Sequence, residues 1–462
     1  MAEGIRRPPL RAGERRTVEI VGLTHDAQGI ARPDGFAVFV PGALPGETVE
    51  IVVEAVRASY AVARLARIVR ASPERVAPPC PVYGRCGGCQ LQPMTYAAQL
   101  AFKENAVRDA LRRLGGFIDP PVLPIIGMRE PWRYRNKAQL AVRRFGRRTE
   151  MGYYARKTHT LVPIDDCLLE DSSGMAALRA ARDAIRALSL PPYNEVHHEG
   201  LIRHLVVRTA RTGEAMLVVV TNGPHLPGAR RLATAVRRAV PSVVSVVQNI
   251  NSRRTNVILG EESRVIAGRE TIEETLLGVR FRISARSFFQ VNPEQTEALY
   301  RIVEEMAGLT GRETVIDAYA GVGTIALVLA RKAAEVIGLE AVPEAVRDAE
   351  ENARRNGIEN ARFLAGAAED LLTRFAEEGK TVDAVVVDPP RKGLDPKAVD
   401  AILRLRPRRL VYVSCNPSTL ARDARLFAAG GLRLAAARPV DLFPQTVHVE
   451  TVALFERDVN VM

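Results

Sequence analysis

The stretch Thr314-Val-Ile-Asp-Ala-Tyr-Ala-Gly-Val-Gly-Thr324 decides the fold of the C-terminal part of the chain. Its apolar start and its acid, Asp317, are typical of the end of a buried strand, and its glycines lead into a helix-like segment at 325–331. Strand-like runs follow at 335–340 and 382–388, and each of them also ends in an acid. This alternation of strands and helices predicts an α/β domain with a parallel sheet.

The spacing of the glycines separates two kinds of nucleotide-binding domain. Dinucleotide-binding proteins use G-x-G-x-x-G, whereas this chain has G-V-G-T-I-A from Gly321, preceded by an acid that is atypical for them. The D-x3-G-x-G form resembles motif I of Rossmann-like methyltransferases, which bind S-adenosylmethionine. That resemblance implies that Asp317, Gly321 and Gly323 shape the loop beneath the methionine part, with Thr324 in the same cofactor-binding set. Glu340, which lies 17 residues beyond Gly323, can accept both ribose hydroxyls of a nucleoside.

A second stretch, Leu410-Val-Tyr-Val-Ser-Cys-Asn-Pro417, reads as a buried strand that ends abruptly at a polar break and a proline. Cys415 is the first residue beyond the apolar run that can do covalent chemistry. The tip of a strand, where loops converge, is the usual place for a nucleophile in an open α/β sheet. The alternative is that Cys415 only fills space, since free cysteines are mostly small buried hydrophobes.

Four short motifs carry a family resemblance that bears on this choice. They are D-P-P-R-K-G at 388–393, S-C-N-P at 414–417, H-V-E-T at 448–451 and S-F-F-Q-V-N at 287–292. Together they closely resemble the RNA 5-methyluridine methyltransferases of the RumA/TrmA type. Arg391 stands where amine methyltransferases carry an aromatic residue, and the loop lacks the Pro-Cys dipeptide of RNA cytosine-C5 enzymes. The resemblance therefore implies that C5 of a uracil is the methylated atom.

The same resemblance implies roles for individual residues. Cys415 would add to C6 of uracil, and the resulting enolate can attack a methyl sulfonium through C5, which divides one hard step into easier ones. Glu450, at the start of a strand at 449–455, would then remove the C5 proton, with His448 as the competing base. Because the last strand of this fold runs antiparallel, its beginning lies at the same sheet edge as the ends of the others. The resemblance further implies cofactor or uracil contacts for Gln290, Tyr319, Glu340 and Asp388.

Three of the five cysteines fall within ten residues, in a C-x5-C-x2-C pattern typical of a metal centre. These are Cys80, Cys86 and Cys89, and Cys167 is the one candidate for a fourth thiolate once Cys415 is reserved for catalysis. Zinc would also take four thiolates but normally comes with two close pairs, so the spacing favours an iron–sulfur site, a 4Fe-4S cluster, over zinc.

The N-terminal residues alternate short β-rich runs with Gly- and Pro-containing turns, which predicts a small antiparallel barrel. The segment at 29–47, GIARPDGFAVFVPGALPGE, resembles the TRAM domain, an RNA-binding β-barrel found on RNA-modifying enzymes. Another oligonucleotide-binding-like barrel is the alternative and would carry much the same meaning. The TRAM-like start and the cysteine pattern both match the ribosomal RNA branch of the family.

The formal charge of +12 points towards a polyanionic partner, with nucleic acid first. The segment 132–157 holds nine basic residues against one acid, Glu150, and five aromatic residues are interleaved with them, which favours RNA contact. Phe288 or Phe289 could stack on a flipped base, or either ring could belong to the core. The nine basic residues are Arg133, Arg135, Lys137, Arg143, Arg144, Arg147, Arg148, Arg156 and Lys157.

The predicted fold class is α/β, with an N-terminal small β-barrel at 10–70, a central α+β RNA-binding domain at 71–285 and a C-terminal Rossmann-like methyltransferase domain at 286–462. We expect a cytoplasmic monomer. No secretory signal is predicted because no apolar segment follows the basic N-terminus, and no membrane span is predicted because no apolar run is long enough for one. The expected partner is ribosomal RNA, with transfer RNA as the alternative substrate. A non-catalytic RNA-binding assembly factor with a vestigial methyltransferase domain is the alternative function.

Overall fold

A computed structural model of the chain describes residues 9–457. The start of the basic N-terminus, on which the absence of a secretory signal was predicted, and the last five residues of the predicted domain 286–462 lie outside the described residues. The chain separates into two compact units. Unit 1 takes in the described residues up to Ala106 together with Gln445–Val447, and unit 2 takes in Val107–Pro444 and the described residues from His448 onward.

Unit 1 contains a six-stranded sheet with the order β1-β5-β6-β4-β3-β2. Alternate residues of its strands point inward, so that side chains such as Val38, Val49 and Ile51 are fully buried in one small core. The predicted N-terminal β domain is confirmed, but its sheet is mixed and not purely antiparallel, because β4 and β6 pair in parallel. Its strands are β1 (Arg15–Glu19), β2 (Gly22–Leu23), β3 (Gln28–Ala31), β4 (Ala37–Pro41), β5 (Thr48–Val56) and β6 (Tyr60–Arg70), and helix α1 (Tyr96–Arg113) follows.

The first part of unit 2 is an α+β layer whose seven-stranded sheet has the order β13-β12-β11-β10-β7-β8-β9. Its central strands β10 and β11 are buried along their whole length; the sequence of β11 is almost continuously apolar, whereas β10 also buries Arg203, His204 and Arg208. The elements are β7 (Lys137–Phe145), β8 (Arg148–Tyr154), β9 (Leu161–Pro163), α2 (Ser172–Ala187), β10 (Ile202–Thr209), β11 (Ala215–Thr221), α3 (Ala229–Ala239), β12 (Val243–Ile250) and β13 (Glu262–Gly268), followed by the hairpin β14 (Ile272–Leu276) and β15 (Val279–Ile283).

The second part of unit 2 is a seven-stranded sheet with the order β18-β17-β16-β19-β20-β22-β21. Strands β16 to β20 are parallel, and β22 runs antiparallel to both of its neighbours. This confirms the predicted α/β fold class. The elements are α4 (Pro293–Ala307), β16 (Thr314–Ala318), α5 (Thr324–Leu329), β17 (Glu335–Glu340), α6 (Pro343–Arg355), β18 (Ala361–Ala365), α7 (Ala368–Glu377), β19 (Ala384–Val387), α8 (Pro396–Leu405), β20 (Arg409–Ser414), α9 (Pro417–Ala429), β21 (Leu432–Val440) and β22 (Glu450–Arg457).

One aromatic ring sets the packing beneath the glycine loop between β16 and α5. Phe363 of β18 is buried and lies against Gly338 of β17 and Gly323 of the loop. A Cβ at Gly338 would come within 2.4 Å of the Phe363 ring, and one at Gly323 within 2.9 Å. Glycine is therefore required at both positions for the loop to approach the sheet closely. Among the described residues, no helix has the length and apolar character that a bilayer crossing needs.

Replacing Gly338 with alanine is expected to displace the Phe363 ring and lower the free energy of unfolding by about 1–3 kcal/mol, as overpacking of a core does. Thermal unfolding measures the effect. The companion change Phe363→Leu, made on top of Gly338→Ala, should recover part of the loss because it removes the clashing ring. Gly22→Ala, whose Cβ meets nothing within 4 Å, is the control. Equal unfolding temperatures for Gly338→Ala and the wild type would contradict this packing.

Candidate active site

The carboxyl ends of the parallel strands of the second sheet bring the sequence-predicted residues to one edge. Asp317 lies in β16, Glu340 ends β17, and Asp388 directly follows β19. Cys415 directly follows β20 at the same edge. In an open α/β sheet this edge is where ligands bind, because the loops that follow the strands converge there.

The antiparallel strand β22 adds Glu450 to this edge. The register between β20 and β22 ends with Ser414 opposite Thr451, so Cys415 and Glu450 are the next residues on two adjacent strands. Both are placed where a single small ring could contact them. The structure thus places side by side a thiol and a carboxyl group that lie 35 residues apart in the sequence.

The electrostatics of Cys415 show which groups surround its sulfur. Burial raises the pKa of the Cys415 thiol to about 11, with smaller increases from the charges of Glu450 and Asp388, and Arg391 acts in the opposite direction. The thiol is therefore protonated at neutral pH while no other molecule occupies the edge. The negative charges of the two carboxyl groups therefore oppose formation of a thiolate, and the positive charge of Arg391 favours it.

The carboxyl groups of Asp388 and Glu450 also have pKa values above their ordinary range. Burial raises the pKa of Glu450 well above its usual range, and the charge of Asp388 adds to the effect. Burial also raises the pKa of Asp388 to about 7. Acids with raised pKa values in a cleft can exchange protons near neutral pH, which is what general acid–base chemistry needs. The competing base, His448, packs its ring edge-on against Phe443, with the centroids 6.0 Å apart.

The glycine loop after β16 has an unusual backbone. Tyr319, Gly321 and Gly323 have φ angles of +71°, +57° and +82°. A left-handed conformation at a tyrosine is uncommon and is found most often at functional sites. The Gly321 N–H donates to Glu340 Oε2 at 2.9 Å, and the Val342 N–H donates to Glu340 Oε1 at 2.8 Å. These bonds fix the Glu340 carboxylate beside the loop.

One further observation, the environment of Asp317, indicates that the site can bind a cationic nucleoside. Asp317 is fully buried, and neither of its carboxylate oxygens makes a hydrogen bond of normal geometry with any described residue. Burial raises its pKa well above the usual range, with a further increase from Asp388. The Ala326 N–H lowers this pKa but cannot satisfy both oxygens of the buried carboxyl group, and an unsatisfied buried acceptor is costly unless a ligand supplies a donor. The sulfonium and ammonium groups of S-adenosylmethionine have the charge that such a loop, with its two acids, can accommodate.

The S-F-F-Q-V-N segment is held in place from the neighbouring sheet. Arg208 of β10 donates to the carbonyl oxygens of Ala285 and Ser287, and Asn136 donates to the carbonyl oxygen of Gln290 at 3.1 Å. Thr324, at the start of α5, accepts a hydrogen bond from Tyr300 at 2.9 Å. Sequence reasoning missed these supporting residues because nothing in a single sequence pairs a strand residue with a distant loop.

The two phenylalanines of this segment have different environments. Phe289 is only 4% exposed and packs against Phe281, whereas Phe288 is 72% exposed. Phe289 therefore belongs to the core, and Phe288 is the ring that a base could stack on. The sequence left this choice open because both residues are identical in type and adjacent.

Arg391 also contributes to the environment of Cys415, which the sequence alone did not reveal. Its carbonyl oxygen accepts from Asn416 Nδ2 at 3.3 Å and from Thr419 Oγ1 at 3.4 Å, which ties the D-P-P-R-K-G loop to the start of α9. Through this connection the loop keeps a positive charge near Cys415. Arg391 is visible in the D-P-P-R-K-G motif, but the sequence alone indicates only that an amine is not the methylated group.

The cysteines of the predicted metal centre are described in both units. Cys80, Cys86 and Cys89 of unit 1 and Cys167 of unit 2 form no disulfide and are half-buried. Burial raises the pKa of Cys86, a hydrogen bond from the Gly88 N–H lowers it, and the charge of Cys80 raises it again. Within residues 9–457, no group of three or more possible ligands is arranged around a common point. The thiols have the right chemistry for a cluster, but their positions here do not form one.

Comparisons with known proteins bear on the whole chain. The family model of tRNA (uracil-5-)-methyltransferases matches residues 245–458, and that of the TRAM domain matches residues 9–66. An uncharacterized RNA methyltransferase of Halalkalibacterium halodurans is 46% identical over 97% of this chain and 98% of its own length. One from Caldanaerobacter subterraneus is 45% identical over 97% of this chain and 99% of its own length.

A solved structure is similar to this chain over nearly its full length. It is the tRNA (uracil-54, C5)-methyltransferase of Pyrococcus abyssi in complex with S-adenosyl-L-homocysteine. The sequence identity is 30% and the TM-score is 0.76, and the similarity covers 95% of this chain and all of the other.

Removing the charge of Arg391 should make the Cys415 thiol less acidic, because a nearby cation stabilises the thiolate. We expect Arg391→Gln to slow alkylation of Cys415 by iodoacetamide at pH 8.5 by about threefold or more. Peptide mass spectrometry reads this one cysteine among the five. Arg391→Lys should restore most of the rate, and Lys392→Gln is the control for a neighbouring charge. An unchanged rate in Arg391→Gln would show that this cation does not act on the sulfur.

Proposed function

The chain belongs to the S-adenosylmethionine-dependent RNA uracil-5-methyltransferases, and we propose that it methylates C5 of a specific uridine in 23S ribosomal RNA. The resemblance indicated by the sequence motifs and the prediction of an RNA (uracil-5-)-methyltransferase are confirmed at the level of this family. The finer assignment, to one RNA and to named catalytic residues, is our proposal. The assignment of the catalytic residues is supported above all by the place of Cys415, directly after β20, next to Glu450, the first residue of the paired strand β22.

In the proposed reaction Cys415 is the nucleophile. Its sulfur adds to C6 of the uracil, and the electrons of the C5–C6 double bond move to form an enolate at O4. The thiol proton must leave before the sulfur adds, and the charges of Glu450 and Asp388 oppose this ionisation. The positive charge of Arg391 lowers the pKa of the thiol and so favours its ionisation.

Glu450 is the proposed base for the second half of the reaction. S-adenosylmethionine supplies the methyl group when it is bound, and C5 of the enolate becomes bonded to that methyl. The C5 proton must then leave so that the Cys415–C6 bond can break and the aromatic uracil can re-form. The raised pKa of Glu450 suits a carboxylate that accepts a proton and holds it at neutral pH.

Other residues of the edge bind and orient. Asp388 accepts the N3 proton of the ring, which selects uracil over cytosine because cytosine has no N3–H. Glu340 holds the ribose hydroxyls of the cofactor, and Phe288 stacks on the flipped base. The remaining residues proposed to line the cofactor site are Gln290, Tyr319, Gly321, Gly323 and Thr324.

We also propose that Cys80, Cys86, Cys89 and Cys167 bind a 4Fe-4S cluster in the assembled enzyme. The support is chemical: the C-x5-C-x2-C spacing, four thiols that form no disulfide, and an N–H hydrogen bond to the Cys86 sulfur.

The RNA partner rests on two lines of support that point in different directions. The TRAM match at 9–66 and the cysteine pattern favour ribosomal RNA, since the family resemblance ties both to that branch. The full-length similarity to an archaeal transfer RNA enzyme favours transfer RNA as the second candidate. We further propose that the enzyme acts as a monomer in the cytoplasm. Mapping of 5-methyluridine in both RNAs from a deletion strain decides between the two: loss from transfer RNA alone would overturn the ribosomal assignment.

Cys415→Ala should reduce methyl transfer at least about a thousandfold and abolish the covalent complex with 5-fluorouridine RNA, because no other nucleophile lies at this edge in our proposal. Transfer of tritiated methyl groups and denaturing gels measure the two effects. Ser418→Ala, an exposed change in the next helix, is the control. Retained turnover in Cys415→Ala would remove this residue from the mechanism.

Glu450→Gln should still form the adduct with RNA and cofactor but release product about a hundredfold or more slowly, because the amide cannot take the C5 proton. Quench-flow analysis of adduct and product follows both species. Glu456→Gln, on the same strand at its far end, should behave like the wild type. Normal release from Glu450→Gln would assign the base to another residue.

Protein purified without oxygen should be brown and contain roughly four iron and four sulfide per chain. Replacing Cys86 with serine should remove the colour and most of the iron, since a hydroxyl is a poor cluster ligand. Metal analysis by mass spectrometry checks both. Colourless wild-type protein loaded with zinc would refute the iron–sulfur assignment.

A further inference from the structure

The basic segment 132–157 contains two kinds of arginine. Arg133 pairs with Asp166 at 2.5 Å, and Arg135 pairs with Glu170 at 3.1 Å. These two arginines are neutralised by acids that lie outside the segment, so the nine-to-one ratio read from the sequence overstates the free positive charge. Arg143 is likewise paired, with Glu195 at 3.3 Å. These three side chains hold the α+β layer together rather than face a partner.

The hairpin between β7 and β8 carries the unpaired arginines. Arg144, Arg147 and Arg148 are exposed, and none has a carboxylate within ion-pair distance among residues 9–457. Phe145 lies between them and is 54% exposed, opposite Arg148 in the register. The turn is tight because Gly146 adopts a φ of +59°, as a glycine at the first position of a two-residue hairpin loop can. A tip with three free cations and an exposed ring is not needed for folding.

The same arginines line a cleft of about 470 Å³. Its other side is formed by Arg186, Ile185 and the segment 189–192 after α2. Arg186 is a fixed wall, because it is bonded to Glu150 at 2.6 Å and to the Thr149 carbonyl oxygen at 2.7 Å. The cleft therefore combines free cations, a rigid apolar floor and a neighbouring aromatic ring.

We propose that this cleft binds the RNA backbone outside the target uridine, with phosphates on Arg144, Arg147 and Arg148 and an unpaired base stacked on Phe145. The inference rests on the proposed function as an RNA enzyme and adds a second contact site to it. Clustered arginines recognise phosphates through their planar donors, and exposed aromatic rings stack on bases regardless of sequence.

The position of the cleft sets it apart from the candidate active site. Strand β7 has nine residues and so is about 30 Å long. The N-terminal end of β7 follows Asn136, whose side chain donates a hydrogen bond to the carbonyl oxygen of Gln290 in the S-F-F-Q-V-N segment. The C-terminal end of β7 leads into the tip of the hairpin. The RNA bound in the cleft is thus remote from the reacting uridine, and its contacts should act on the affinity for RNA.

The test compares two triple variants with the same change in charge. The test variant carries Arg144→Gln, Arg147→Gln and Arg148→Gln together, which removes the three cations of the cleft. The control variant carries Arg230→Gln, Arg231→Gln and Arg238→Gln together, on helix α3. The probe is a fluorescein-labelled single-stranded 20-nucleotide oligouridine, so that the result does not depend on which natural RNA is methylated. Fluorescence anisotropy gives Kd from about 50 to 300 mM salt.

We expect the cleft variant to raise Kd at least about tenfold at low salt and to reduce the slope of log affinity against log salt by about 2, as loss of three phosphate contacts predicts. The control should keep the wild-type Kd and slope. Identical Kd and slope for the cleft variant and the wild type would overturn the proposal. Failure of the ribosomal assignment alone would leave this comparison unchanged, because oligouridine is the ligand.

A second pair of variants isolates the ring. Phe145→Leu should weaken oligouridine binding about fivefold or more, whereas Phe145→Tyr should keep it, because only the second retains a stacking face. Photo-crosslinking with 5-iodouridine, followed by peptide mass spectrometry, should identify the tip peptide in the wild type. Equal binding by Phe145→Leu and Phe145→Tyr, or crosslinks confined to other peptides, would contradict the stacking contact.

Discussion

The arrangement of the candidate active site depends on one strand pairing, that of β22 with β20. Because β22 runs against its neighbours, its first residue reaches the edge where the parallel strands end. Glu450 and Cys415 then face the same space, although the chain between them forms a helix, a strand and a long loop. A fully parallel insertion would place Glu450 at the far edge of the sheet, away from Cys415.

Burial gives this edge its chemistry. Cys415, Asp388 and Glu450 all have raised pKa values, so the site without ligands favours neutral groups over a cluster of negative charge. Entry of a uracil and a sulfonium changes this balance, because each carboxyl group gains a partner with which its charge is compatible. The raised pKa lowers the thiolate fraction of Cys415 at neutral pH, which slows its alkylation and oxidation.

The sequence was sufficient for the features that local pattern controls. The acid-ended strands, the D-x3-G-x-G loop and the strand before Cys415 follow from period and turn chemistry, and the antiparallel last strand follows from the family. It could not tell Phe288 from Phe289, since exposure depends on which ring meets Phe281. Nor could it show that Arg133 and Arg135 are neutralised, because their acids lie more than thirty residues away. Long-range pairing, rather than composition, decides both.

The central claim is that Cys415 and Glu450 act on one uracil ring. The most direct measurement is a crystal structure of the enzyme trapped on 5-fluorouridine RNA with the methyl group transferred. We predict a covalent bond from Cys415 Sγ to C6, the Glu450 carboxylate within about 3.5 Å of C5, and Asp388 against N3. A bond from another residue, or a Glu450 carboxylate turned away from the ring with a different base at C5, would contradict the account.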